Sequence, residues 1–265
     1  MIKFCVLGSG SRGNATYIES DNEALLIDAG FSGVEMERRL ADIDASPEKI
    51  AAILVTHEHH DHLKGVGILA RKRGLTVIAN DPTLRAGEKK LGNIPNYHGF
   101  TTGESFDFAG FSIHPFSISH DSADPVGFVI SREGCSLGYC TDTGMVSRLI
   151  HHRLSACHGL IIEANHDPEM LMNGPYPLHL QQRVRSRSGH LANEDAARFI
   201  GTLVHDGLQH VVLAHLSETN NDPSLALNRV MAVLDEKPAT QRTPRISLGW
   251  QSKVGEVVSL TGGSV

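Results

Sequence analysis

Ile53-Leu54-Val55-Thr56-His57-Glu58-His59-His60-Asp61-His62 decides the reading of this chain. The apolar, β-branched run from Ala51 to Val55 predicts a buried strand. It stops abruptly in His57, His59 and His62, with the carboxylate of Asp61 among them. Imidazole nitrogens and a carboxylate oxygen are ligands that zinc and similar first-row divalent ions accept. Residues one or two apart do not share a helix face, where neighbours are three or four apart. A loop leaving a strand can aim them at two adjacent points. The bland alternative is a solvated histidine-rich loop, and four ligand-type residues within six positions weigh against it.

Length and composition bound the rest. The chain has 265 residues, long enough for a substantial core in one large domain or two small ones. Hydrophobic content of 40% and charged content of 20% describe an ordinary globular protein, and no apolar run approaches the ~18 residues of a membrane span. Met1 to Leu7 runs straight into a Gly/Ser loop and reads as a first strand, not a signal peptide, which makes the cytoplasm the default location. Cys5, Cys135, Cys140 and Cys157 show neither metal-site nor secreted-scaffold spacing and read as small core residues. Sixteen histidines are the anomaly. A formal charge of −6 argues against a broad basic nucleic-acid surface, but bound divalent cations can make a pocket positive within an acidic protein.

Along the chain, residues 2–7 and 15–19 predict two strands around the hairpin Gly8-Ser9-Gly10-Ser11-Arg12-Gly13-Asn14. A dinucleotide fingerprint would need a helix next, so the loop is either a plain tight turn or part of an active-site rim. Strand 24–27 ends in Asp28, which can cap a helix over 33–43 or orient a metal histidine; the helix begins late enough to favour the second role. Ser46-Pro47-Glu48 opens a short turn, and residues 62–71 predict a helix. A strand follows over 76–79, then a helix over 81–91 with Asp81 as cap and Pro82 at its first position. Residues 106–113 have hairpin character, and 115–119 form a strand ending in His120. Strands 126–131 and 135–140 meet at a Glu133-Gly134 turn, and the second ends in Asp142. A strand from 160 ends polar at Glu163-Ala164-Asn165-His166-Asp167, residues 168–189 are rich in Pro, Arg and Ser, and Asn193 caps a helix through Leu203. Strand 210–214 ends in His215, and a helix over 224–235 and a hairpin of Ile246–Leu248 with Val254–Leu260 complete the chain. The alternation favours one layered α/β domain. The recurring event is a buried strand ending in a metal-type ligand, at His57, His120, Asp142 and His215, and strand ends converging on one sheet edge make a rigid, preorganised site.

The run Thr56 to His62 resembles the His-x-His-x-Asp-His motif of the metallo-β-lactamase superfamily, and Asp28, His120, Thr141-Asp142-Thr143-Gly144 and Ala214-His215-Leu216-Ser217 resemble its other motifs in order. The opening Gly8–Asn14 loop, Glu163–Asp167, Gly189-His190-Leu191-x-Asn193 and His215–Asn221 are similar to the YycJ/WalJ exonuclease-like group, which is related to the tRNase Z and RNase J branches. The resemblance implies a four-layer αββα sandwich with the metals at one edge. Only 72 residues separate Asp142 from His215, which implies a single domain over 1–265 with no β-CASP insertion.

It also implies two divalent ions, zinc or manganese, with iron possible. His57, His59 and His120 would hold the first, Asp61, His62 and His215 the second, and Asp142 would bridge them. In the implied reaction a bridging water, its pKa lowered toward ~7, attacks a phosphodiester as hydroxide. His190 assists the leaving oxygen as general acid, and Asp61 also orients the nucleophile. The function so implied is a 5′→3′ exonuclease-like hydrolase of DNA or RNA, with nucleic acid as partner, no membrane, and oligomeric state open. Arg183, Arg185 and Arg187 offer planar forks for flanking phosphates, or form a solvated loop. Ser11, Asn14, Asn165, Asn220 and Asn221 offer further polar contacts to substrate. The competing function is hydrolysis of a small thioester, lactone or cyclic phosphodiester, because the metal motif alone fits those too.

Overall fold

In β1 (Ile2–Gly8) the side chains alternate between two cores: Ile2, Phe4 and Val6 face one, Cys5 and Leu7 the other. A strand turns successive residues to opposite faces, so a strand apolar on both faces has to lie between two packed layers. This computed structural model describes residues 1–238, 240 and 242–262; the final three positions of the expected 1–265 domain lie outside the described residues. β2 (Ala15–Ser20), β3 (Glu23–Ile27), β4 (Ile50–Leu54), β5 (Thr76–Asn80) and β6 (Asn96–Phe100) complete the run of strands that begins with β1. β1 to β3 are antiparallel, and β3 to β6 are parallel. The second sheet has antiparallel strands β7 (Phe106–Phe108), β8 (Phe111–Ser117), β9 (Val126–Arg132) and β10 (Cys135–Cys140), followed by parallel β11 (Gly159–Glu163), β12 (His210–Ala214) and β13 (Arg245–Leu248). The last strand, β14 (Val258–Leu260), returns to pair with β1.

Phe4, Ile18, Leu25 and Leu54 of the first sheet meet Phe111, Phe128, Leu137 and Val212 of the second in a buried inner core. Helices cover the outer faces. α1 (Gly33–Ala41), α2 (His60–Leu63), α3 (Val66–Arg73) and α4 (Asp81–Leu91) follow strands of the first sheet, and Met36, Leu40, Leu69 and Leu91 pack on its outer side. α5 (Arg148–Leu154), α6 (Pro168–Asn173), α7 (Leu178–Val184), α8 (Asn193–Leu203) and α9 (Pro223–Asp235) follow strands of the second, where Ile150, Ile200 and Val230 pack. The architecture is the expected four-layer αββα sandwich. Among the described residues no helix is long and apolar enough to cross a membrane. All four cysteines are buried and unpaired, and burial pushes the Cys5 and Cys157 thiols up to about 12, which removes them from nucleophilic chemistry.

Three local expectations change. The 62–71 helix is two helices, α2 and α3, because the chain turns at Gly65, whose N–H donates to Ala29 O at 2.7 Å and whose added Cβ would lie 2.3 Å from Phe31 O. α4 is capped by Asn80, whose side chain accepts from Thr83 N, and not by Asp81. Ile246–Leu248 and the terminal strand do not form a hairpin, since β13 joins β12 and β14 joins β1 in the other sheet. The Pro-, Arg- and Ser-rich residues 168–189 contain the short helices α6 and α7.

Backbone hydrogen bonds stitch three loops at the end of the first sheet: Asn14 N donates to Asp61 O, Gly30 N to Asn14 O, and Ala29 N to His62 O, at 2.8, 2.8 and 3.0 Å. Gly30 permits this approach, because a Cβ there would sit 1.6 Å from Asp61 O. Gly30→Ala is therefore expected to lower Tm by at least ~4 °C, since backbone atoms must move by more than a bond length to admit the methyl group. Differential scanning calorimetry checks this, and an unchanged Tm contradicts the close approach.

Candidate metal centre

Both sheets end their parallel strands at one edge, and three of those ends share a backbone device. Asp28 after β3, Asp142 after β10 and His215 after β12 are left-handed, with φ of 59°, 57° and 55°. Few non-glycine residues take this conformation, though Asp and His are enriched there. Each instance costs ~1–3 kcal/mol and persists only where the surroundings enforce it. Three such residues at one rim mark a site whose geometry overrides local preference.

The seven expected ligands converge there. Ligand atoms of His57, His59 and His120 lie within 4.8 Å of one another, as do those of Asp61, His62 and His215. Asp142 groups with His57 and His62, and also with His215. Hydrogen bonds on the far sides of the rings set their orientation. His62 Nδ1 donates to Asp28 Oδ2 at 2.7 Å, and the same carboxylate accepts from Thr56 N and Thr56 Oγ1. His120 Nδ1 lies 3.2 Å from Gly189 O, His215 Nδ1 lies 2.8 Å from Glu163 Oε1, and His57 Nδ1 lies 3.0 Å from Thr56 Oγ1. In each of these four rings Nδ1 is engaged, which turns Nε2 into the cluster and selects the tautomer a metal needs.

His57 Nε2, His215 Nε2 and Asp142 Oδ2 are buried with no hydrogen-bond partner among the described residues. A buried polar atom left unpaired costs ~1–3 kcal/mol. Three of them pointing into a pocket of imidazoles and carboxylates fit divalent cations in both charge and donor type. Electrostatics agrees. Burial opposes charge on His215, yet Asp142, Asp61 and Glu163 raise its pKa to about 10, and Asp142, Asp28 and Asp61 likewise hold His62 well above the usual imidazole value. Burial and the surrounding rings keep His57 well below it. Burial pushes Asp142 up, but His215 and His62 outweigh it and hold the carboxyl below the ordinary carboxylate range.

Glu163, to which the sequence motif gives no role, organises the second sheet's rim. Its side chain is fully buried. Oε1 accepts from His190 Nδ1 and His215 Nδ1, both at 2.8 Å, and Oε2 accepts from Leu191 N at 2.9 Å and Thr143 N at 3.1 Å. With both oxygens occupied, it orients rings and does not compete as a ligand. Although burial pushes the carboxyl up, His190 and His215 hold it well below the usual range. A charged residue closing the otherwise apolar run Gly159–Glu163 was the available signal. Glu58, within the histidine run, likewise acts on a loop: its Oε1 accepts from Ala123 N at 2.8 Å, which ties down the segment after His120. His60 is exposed.

The polar residues expected at the substrate are divided. Ser11 is exposed, and Arg183 is exposed with its Nε donating to Asp121 Oδ2 at 2.6 Å. Asn14 is buried and its Nδ2 donates to Asp61 Oδ2 at 3.2 Å, which braces the cluster. Asn165 is buried with Nδ2 donating to His215 O at 2.8 Å, and Asn221 spends its amide on Ala164 O, Asn165 O and Asn193. Asn220 is 1% exposed and packs beneath Gly174. Asn14, Asn165 and Asn221 hold loops in place through these bonds, whereas Asn220 Oδ1 is buried with no hydrogen-bond partner among the described residues; their spacing gave no warning of the inward orientation.

A two-sheet sandwich with a His/Asp cluster at one edge defines a class, and the family described as the beta-lactamase superfamily domain matches residues 23–216. Exodeoxyribonuclease YycJ of Bacillus anthracis is 40% identical over 238 residues, covering 89% of this chain and 90% of the relative. Exodeoxyribonuclease WalJ of Streptococcus pneumoniae is 41% identical over 228 residues, covering 84% and 85%. The metallo-beta-lactamase fold protein YhfI of Bacillus subtilis, at 17% identity, shares the fold with a TM-score of 0.74 over 97% of this chain and 98% of its own. This chain belongs to the beta-lactamase superfamily and, within it, to the YycJ/WalJ family.

Proton and cation compete for the same nitrogens, so metal affinity is expected to fall as pH drops from about 8 to about 6; chelator-competition titrations at the two values check this, and equal affinities contradict it. Asp28→Ala is expected to weaken metal binding ~10–100-fold by freeing the His62 ring. Wild-type affinity in that variant would remove Asp28 from the support of the centre.

Proposed function

We propose that this chain is a metal-dependent exonuclease that degrades DNA from the 5′ end. In this reading His57, His59 and His120 would hold one divalent ion and Asp61, His62 and His215 a second, with Asp142 available to both. Zinc or manganese suits the donor set, with iron as a third candidate. The chain works as one domain without a β-CASP insertion, the stretch from Asp142 to His215 being used by α5, β11, α6 to α8 and β12. A cytoplasmic location agrees with a DNA substrate and with four unpaired cysteines. The choice of DNA follows the two exodeoxyribonucleases that resemble this chain over more than four-fifths of its length.

The observation that carries the mechanism is the buried Glu163 beside the metal-type cluster, bonded to His190. When bound there, divalent cations would supply charge neutralisation for a phosphate and lower the pKa of a water molecule. The protein's own groups supply the rest. Asp61, braced by Asn14, presents its carboxylate beside His62 and His215 and can orient the attacking water. His190 is part-exposed and has Nδ1 committed to Glu163, so its Nε2–H is the proton available to the departing sugar oxygen. Glu163, through its hydrogen bond to Nδ1, fixes the ring's tilt.

Digestion of end-labelled single- and double-stranded DNA and RNA by metal-loaded protein tests the proposal. Wild type is expected to shorten DNA from the 5′ end, Asp142→Ala to be inactive, and His190→Ala to be slower by ~10²–10⁴. The His190→Ala defect should shrink on a p-nitrophenyl phosphodiester, whose leaving group needs no proton. Wild-type activity confined to thioesters or lactones contradicts the proposal, and an equal His190→Ala defect on both phosphodiesters contradicts the general-acid role.

A further inference from the structure

The Gly8–Asn14 hairpin is built more tightly than a connecting turn requires. Gly10 N donates to Asn14 Oδ1 at 2.9 Å, Arg12 N donates to Gln251 Oε1 at 2.7 Å, and Gln251 Nε2 returns a hydrogen bond to Gly13 O at 3.1 Å. Phe31 lies beneath Gly8 and Gly13, where a Cβ would approach its ring to 2.5 and 2.7 Å, and the buried Arg39 stacks on that ring with its guanidinium carbon 4.0 Å from the centroid. Of the seven residues, five are buried and only Ser11 and Arg12 are exposed. An immobilised loop that offers one cation to solvent has prepaid the ordering that binding an anion would otherwise demand.

Its position adds the second observation. Ser9 Oγ accepts from His215 N at 2.7 Å, and Asn14 Nδ2 reaches Asp61, so the loop borders the part of the centre made by Asp61, His62 and His215. Arg183 borders the other part: Asp121, its partner, lies 3.6 Å from His120 Nε2 and 3.9 Å from His59 Nε2. Each guanidinium is tethered by one carboxylate through one nitrogen, Arg12 Nη2 to Glu218 at 2.7 Å and Arg183 Nε to Asp121 at 2.6 Å. The remaining donors of each fork are left for a planar, bidentate acceptor such as a phosphate. Ion pairs this exposed contribute little to stability, so stability does not account for the arrangement.

We infer that Arg12 is a phosphate-binding residue that holds the nucleic-acid backbone on the Asp61–His62–His215 side of the scissile bond, opposite Arg183 on the His59–His120 side. The inference rests on the exonuclease reading and adds a site to it: an acidic chain grips its polyanionic substrate through two tethered arginines and the metal centre between them.

Steady-state digestion of an end-labelled oligodeoxynucleotide at several salt concentrations tests this, beside hydrolysis of bis(p-nitrophenyl) phosphate. Arg12→Ala is expected to raise KM for the oligonucleotide about tenfold and to flatten the slope of log(kcat/KM) against log salt by about 0.7, the share of one single-strand phosphate contact. Arg12→Lys, which keeps the charge and loses the planar fork, should fall between Arg12→Ala and wild type. Arg245→Ala makes the same charge change at the start of β13, at the opposite sheet edge, and should alter neither value. An Arg12→Ala protein with wild-type KM and salt slope overturns the role of Arg12 while DNA degradation by wild type still stands. A wild type that hydrolyses the small diester and leaves DNA intact overturns the exonuclease reading, and this inference with it.

Discussion

Two fully buried carboxylates, Asp28 in the first sheet and Glu163 in the second, set the geometry on which the rest of the centre depends. Each sits at a strand end, accepts hydrogen bonds from backbone N–H groups, and holds a histidine by Nδ1. Removing one partner from such a buried, hydrogen-bonded charge pair costs ~3–5 kcal/mol, whereas exposed ion pairs contribute ~0–1. The histidine cluster is therefore positioned from behind, by groups no substrate reaches, and not by the flexible charges at the surface.

The two sheets supply complementary halves. The loop after β4 provides His57, His59, Asp61 and His62, fixed by Asp28, by Thr56 and by the backbone bonds through Asn14 and Gly30. The second sheet provides His120, Asp142, His190 and His215, fixed by Glu163 and the Gly189 carbonyl. The inner apolar core keeps the sheets face to face, so packing far from the rim determines the separation of the two ligand sets. The left-handed residues Asp28, Asp142 and His215 are the cost of turning the chain at that rim.

What was legible in the sequence follows from the range of the interactions involved. The His57–His62 spacing and the order of strands and helices along the chain are local, and they announced the centre and the layered fold. The same holds for the Glu133-Gly134 turn, where φ of 50° and 73° matches the hairpin it predicted. Asp28 was readable as an orienting acid because it ended a buried strand too early to cap α1, and Ser32 does cap it. Partner choice over long range was not legible. β13 and β14 look like a hairpin by proximity, but each finds a free sheet edge elsewhere. Asn14 and Asn165 carry the same polar groups whether they face substrate or brace a ligand, and only the fold decides. Glu163 shows the same limit, since its four donors come from three separate segments of chain.

The central claim is that distant strand ends assemble one centre for two ions. Anomalous diffraction from crystals of the metal-loaded protein, recorded at the absorption edge of the metal, addresses it most directly. The account predicts two peaks about 3.5–4 Å apart, one against His57, His59 and His120, the other against Asp61, His62 and His215, with Asp142 between them. A single peak, or peaks away from these seven side chains, would contradict it.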